Sequence, residues 1–356
     1  MRFDLFYELS MPPQGAVSEV QAVRDWLDSI ALADQIGFGC AWLVEHHFTR
    51  GYSHSSKPEI LLGAAAQRTQ RLRLGLGVIP APYHHPIHTA ERVAMLDVLS
   101  EGRLEIGLGR GFSPQEYEVF RVDMAHSRAL TQETLDILRL SFNRKPISYT
   151  GRQVQFKNLD ILPHVVQQPH PPLWSAAVSP ESFDWSARQG LGVLAGPFKP
   201  WFMTRADIQR YQKIWRESAP ILVPPRVGMT LGILCLPDGQ RAKRIAKPAF
   251  EWFYRALFQT VRPVLEKMYP SYEHFRELGR FRHLLARGIK ADWLQTFGMA
   301  FAGSPAECIE YLTKYREQGV THLLLAIGAG AVPAEVARES MHCIAEEVMP
   351  ALQAER

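Results

Sequence analysis

Cys40-Ala41-Trp42-Leu43-Val44-Glu45-His46-His47-Phe48 decides how this chain reads. The apolar run from Cys40 to Val44 has the length and make-up of a buried strand. An acid, two imidazoles and an aromatic end it, and the loop residues Thr49 to Ser56 follow. In parallel α/β folds chemistry gathers where strands stop, because the scaffold there is rigid and the mouth open. Glu45, His46 and His47 are therefore catalytic candidates, set against the plainer reading of a polar loop.

Outward from this stretch the chain alternates. Phe3 to Tyr7 reads as a strand broken by Pro12-Pro13-Gln14-Gly15, and Ser18 to Ile36 carries helical spacing at Val20, Val23, Leu27, Ile30 and Ala31. Pro58 to Thr69 is a helix whose Gly63-Ala64-Ala65-Ala66 suits either a subunit contact or close packing on the sheet. Strand Leu72 to Ile79, helix Ile87 to Leu99 and strand Leu104 to Leu108 continue the pattern, which implies a parallel sheet with right-handed crossovers. Ser113-Pro114-Gln115-Glu116 has the form of a capping box, and helix Ser127 to Phe142 follows. Strands Leu173 to Ala177, Gly192 to Ala195, Val227 to Leu236 and Thr321 to Ile327 bring the count to eight. Helices from Ser179, Ala206, Ser304 and Ala334 alternate with them. The expectation is a (β/α)8 TIM barrel of the α/β class, one domain over residues 1–356, with insertions around 143–172 and 239–300. Arg276, Arg280, Arg282, Arg287 and Lys290 in the second insertion fit either a lid or a solvated helical arm.

The 356 residues exceed the roughly 250 a barrel needs. Hydrophobic residues make up 46% and charged ones 21%, an ordinary globular balance, and the formal charge of +4 is too mild to argue for nucleic acid or a membrane surface. Cys40, Cys235, Cys308 and Cys343 form no CxxC pair and read as reduced thiols. With no signal-peptide pattern at Met1 and no run of about 18 apolar residues, a soluble cytoplasmic protein is expected.

Gly107-Leu108-Gly109-Arg110-Gly111 lacks the spacing of a dinucleotide fingerprint, yet its alternate glycines permit close approach of a flat ligand. Arg110 can pair with a phosphate bidentately, and Ser179 and Ser182 stand at a helix start that favours an anion. Together they suggest a phosphorylated cofactor, although Ser-Pro is more often a plain helix cap. A metal is the rival ligand for the two His-His pairs, with His88 in reserve. Hydrolytic metal barrels place HxH at the end of strand one, however, and here that strand ends in Tyr7-Glu8, so no metal is expected.

Trp42 to Phe48, Gly102-Arg103-Leu104 through Gly111, and Asp123-Met124-Ala125-His126-Ser127-Arg128-Ala129-Leu130 resemble the bacterial luciferase-like flavin-dependent monooxygenases, the luciferase α subunit among them. The resemblance runs from Met1 to Val348-Met349-Pro350. It implies that His46 is the catalytic histidine by the flavin, with Glu45 the acid beside it. Arg110, Arg128, Ser179 and Ser182 would meet the FMN phosphate. Gly77-Val78 would be a non-prolyl cis peptide under the flavin ring, and His85, Phe112 and Trp252 would face the substrate. Gly109 stands where the α subunit has a reactive cysteine, which leaves more room by the ring and argues against assuming light emission.

The implied activity is a two-component monooxygenase. A reductase supplies FMNH2, oxygen adds to give a flavin C4a-hydroperoxide, and an aldehyde-like or other small molecule is oxygenated, with His46 titrating near neutral pH to move protons. A homodimer is expected by analogy. The alternatives are a deazaflavin (F420)-dependent hydride-transfer enzyme, a non-catalytic flavin-binding protein and a metal-dependent hydrolase.

Overall fold

A computed structural model describes residues 1–12, 17–196, 199–218, 223–268 and 289–353. In chain order the elements begin with β1 (Arg2–Tyr7), α1 (Glu19–Ile36), β2 (Cys40–Leu43), α2 (Pro58–Ala66), β3 (Arg73–Pro80), α3 (Pro86–Leu99) and β4 (Leu104–Gly109). After them come α4 (Pro114–Val119), α5 (Ser127–Ser141), β5 (Ile147–Thr150), β6 (Gln155–Leu159), β7 (Leu173–Ala177), α6 (Pro180–Arg188), β8 (Gly192–Ala195), α7 (Trp201–Glu217) and β9 (Val227–Cys235). The chain closes with α8 (Gly239–Met268), α9 (Ala291–Thr296), β10 (Ala300–Gly303), α10 (Pro305–Glu317), β11 (His322–Ala326), α11 (Ala334–Cys343) and α12 (Met349–Gln353).

Strands β1, β2, β3, β4, β7, β8, β9 and β11 close a parallel eight-stranded barrel, β11 pairing back onto β1 through Arg2–His322 to Leu5–Leu325. These are the eight strands expected from sequence. Two elements are additional: β10, which pairs with the far half of β9, and the β5–β6 antiparallel hairpin inside 143–172. Ser304 and Glu307 form a reciprocal capping box at the start of α10. Of the basic residues singled out in the second insertion, Arg276, Arg280, Arg282 and Arg287 lie outside the described residues, as does the Pro13-Gln14-Gly15 break; Lys290 is the N-cap of α9.

A polar layer buried at the starting ends of the strands plugs the barrel. Trp42 Nε1 donates to Asp4 at 3.0 Å and Trp174 Nε1 to Glu105 at 2.7 Å, while Arg2 pairs with both acids. Burial alone would raise Glu105, but Arg2 and Arg73 outweigh it and hold the carboxyl down at about 2. The two indoles meet edge to face at 5.5 Å. Gly75 and Gly192 make room for them, since a Cβ at either would fall within 2.4 Å of an indole ring. Gly75 is thus a packing glycine. With one mouth plugged, the opposite one, at the strands' carboxyl ends, is left for a ligand. All four cysteines are buried and unbridged. Among the described residues no helix is long and apolar enough to cross a membrane.

Candidate active site

A cavity of about 370 Å³ opens at the carboxyl ends of the strands, within the size range of small-molecule sites. Glu45 and His46 reach it from β2, Gly77 and Val78 from β3, and Gly109, Arg110 and Phe112 from β4 and the loop beyond. Arg128 at the start of α5, and Ser179 and Ser182 at the start of α6, also line it. His85 and Trp252 do not. His85 caps α3 from an exposed position with its ring on His88, because Pro86 starts the helix there and turns the side chain outward. Trp252 packs on the apolar cluster of α8, beside Gly51. His84 also stays out of the cavity lining and turns to Glu45, its Nε2 at 2.5 Å from Glu45 Oε1.

Glu45 is fully buried. Burial would raise its carboxyl, but hydrogen bonds from His47 (3.0 Å) and His84 and the charge of Arg92 outweigh that and hold it at about 2. It is an ionised anchor for two rings. His46 differs from its sequence expectation. Burial pushes its imidazole down to about 4 against the opposing pull of Glu45, so the ring is neutral at pH 7 and does not titrate near neutrality. Its edges face Glu8 Oε2 at 3.6 Å and Glu116 Oε1 at 4.0 Å, and its faces meet Phe112 and Tyr52.

Glu116 departs from the capping box. Ser113 accepts from its backbone N–H, but the carboxylate turns away to accept from the His47 N–H at 2.8 Å. Ser179 and Ser182 do form a reciprocal cap. Ser182 Oγ accepts from the Val178 and Ser179 N–H groups, both at 3.0 Å, so it is occupied within the turn. Lys199, which no sequence pattern marks, is buried beneath this turn, donates to the Val178 carbonyl at 2.7 Å and pairs with Asp207. Trp185 of α6 donates to Gln132 of α5 at 3.0 Å, which ties the Ser179 start to the Arg128 helix, and Tyr117 bonds the Arg110 carbonyl.

The Gly77–Val78 peptide is cis, as the resemblance implies. The room expected at Gly109 is not there. A Cβ at 109 would lie 2.5 Å from Val78 Cγ2, so the valine fills the space a side chain would need. Gly107 likewise faces the Leu76 carbonyl. These glycines let β4 close onto β3, and of the two Gly109 faces the cavity, beside Val78. Among the described residues no three His, Cys, Asp or Glu side chains gather as a metal site.

Residues 1–322 match the family model described as luciferase-like monooxygenase. The chain belongs to the luciferase-like monooxygenase family. As an enzyme of this family it is similar along its whole length to the alkanal monooxygenase alpha chain of Photorhabdus luminescens, at 24% identity over 99% of this chain and 97% of that one. A local match of 31% identity joins it to the oxygenase component of the flavin-dependent trigonelline monooxygenase of Acinetobacter baylyi, over 55% of this chain and 54% of that one. The chain thus spans about half the length of that relative, and half of an uncharacterized Sinorhizobium fredii protein at 37% identity. Among solved structures, monooxygenase RslO1 from Streptomyces bottropensis superposes with a TM-score of 0.84 at 28% identity, covering 98% of this chain and 99% of that one.

Proposed function

We propose that this chain is the oxygenase component of a two-component FMN-dependent monooxygenase, which takes reduced FMN from a separate reductase and oxygenates a small organic molecule. The observation that carries this reading is the meeting in one cavity of two arginines, a capped helix start, Gly109 beside Val78 and a buried neutral imidazole. The flavin-dependent oxygenase component among its relatives supports the cofactor.

The residues present fit FMN. Gly109, which admits no side chain, and Val78 form a surface on which a planar ring can lie. Arg110 and Arg128 would grip the phosphate, with the positive end of the α6 dipole facing it. When bound, the reduced flavin supplies the electrons and the carbon at which oxygen is activated. His46, neutral at rest, takes up a proton at a ring nitrogen and returns it. Glu45 stays ionised and holds His47 and His84, which fixes the loop carrying His46. Phe6, Phe112, Phe258 and Phe297 line the rest and exclude water, which favours an apolar substrate.

The reading treats the chain as one cytoplasmic barrel domain carrying the excursions at 143–172 and 239–300. It acts as a homodimer through the apolar face that α2 and α3 expose, with Ile60 (69% exposed), Met95, Val98 and Leu99.

The test is anaerobic titration of the purified protein with reduced FMN and, separately, reduced F420. Saturable binding of FMN alone supports the proposal. Binding of F420 with no affinity for FMN contradicts it in favour of hydride transfer.

A further inference from the structure

Glu8, one residue beyond β1, is a buried carboxyl that the reading above leaves without a role. Its Oε1 accepts from Tyr52 Oη at 2.8 Å. Its Oε2 is sealed from solvent, has no hydrogen-bond partner and lies 3.6 Å from His46 Nε2. The other edge of the same imidazole faces Glu116 Oε1 at 4.0 Å. Glu45 and His47 flank His46 along the chain, and Tyr254 of α8 stands behind Tyr52. Glu8 borders the cavity, but its Oε2 is closed to solvent and turned toward His46.

Burial pushes Glu8 up to about 8, more than the Tyr52 hydrogen bond can lower it, so the carboxyl is neutral at pH 7 beside a neutral imidazole. Because Tyr52 occupies Oε1 with its own hydrogen, the carboxyl proton belongs on Oε2. An O–H facing a ring nitrogen is a donor to it, and such contacts shorten when a site is loaded.

We propose that Glu8 is a positioning residue for His46: as a carboxylic acid it presents its Oε2 proton to Nε2 and so fixes the imidazole with its own proton on Nδ1, on the side of Glu116. Once Glu8 ionises, its carboxylate accepts instead, and the imidazole inverts to the Nε2–H tautomer. The catalytic consequence rests on the FMN reading, since the tautomer decides which ring nitrogen can take a proton in the reaction. The tautomer itself does not depend on that reading.

The test is two-bond proton–nitrogen NMR of the histidine-labelled protein, with the His46 signals identified by their loss in His46→Asn. In the wild type we expect the Nδ1–H form at pH 7 and inversion with a midpoint near Glu8's value of about 8. Glu8→Gln, whose amide donates without titrating, should keep the Nδ1–H form throughout. Tyr52→Phe, which withdraws the bond that stabilises the carboxylate, should move the midpoint up. Oxygenation by the reduced-flavin-loaded enzyme should lose its limb near that pH in Glu8→Gln. An Nε2–H form in the wild type at pH 7, an inversion that persists in Glu8→Gln, or an unmoved midpoint in Tyr52→Phe would each overturn the proposal. The spectra need neither flavin nor substrate, so an inversion as expected in a protein that fails to bind FMN would contradict the functional reading alone.

Discussion

His84 Nε2 lies 2.5 Å from Glu45 Oε1, across 39 residues of sequence and on the same oxygen that His47 engages at 3.0 Å. A buried carboxylate held at about 2, against an ordinary value of 4.5, binds fewer protons folded than unfolded. Its contribution, about 3 kcal/mol, is complete above pH 4.5 and is lost as pH falls toward 2. Glu45→Gln should therefore be less stable than the wild type at pH 7, with the gap closing in acid. Urea unfolding at pH 7 and below pH 4 checks this. An equal gap at both would mean that the loss is one of shape and not of charge.

The barrel was legible because its strands are continuous apolar runs and three of its helices, α4, α6 and α10, open on Ser-Pro caps, both local signals. The placing of Glu45 and His46 at the cavity was legible for the same reason, since the apolar run of β2 stops just before them. Polar groups that act across the barrel were not. Glu116 obeys a capping pattern that is correct for Ser113 and silent about where the carboxylate goes. His84 and His85 are adjacent, and only the helix started by Pro86 decides which one turns to Glu45. The shifted imidazole of His46 arises from burial by Tyr52 and Phe112, residues distant or unremarkable in sequence. Strand β10 was hidden because Ala300-Phe301-Ala302-Gly303 offers a single strand-favouring side chain.

Gly109 and Val78 make a further test. A methyl at 109 overlaps Val78 Cγ2 at 2.5 Å, so Gly109→Ala should cost about 1–3 kcal/mol and weaken FMN binding as the wall is pushed in. Adding Val78→Ala should restore both. Thermal unfolding and flavin titration of the single and double variants measure the coupling. Additive losses would show that the two side chains do not share the space.

The arginine at the start of α5 can be examined with flavins that differ only in the phosphate. Arg128→Ala should lower FMN affinity by about tenfold or more, the worth of a charge-assisted pair, and leave riboflavin affinity unchanged. Equal effects on both flavins would place Arg128 away from the phosphate.

Met95 and Leu99 expose 48% and 41% of their surface on α3, next to Ile60 on α2. If this face joins two copies, Met95→Glu with Leu99→Asp should yield a monomer, as read by light scattering, with the fold intact by circular dichroism. A wild type that is already monomeric would remove the homodimer from the account.

The most direct measurement of the central claim is a stopped-flow reaction. Protein holding photoreduced FMN under anaerobic conditions is mixed with aerated buffer and the flavin absorbance is followed. The account predicts an oxygen-reacted flavin species that persists well beyond its lifetime in free solution, because the apolar cavity excludes water and His46 controls the proton. Reoxidation as fast as that of unbound FMNH2, with saturating flavin bound, would contradict it.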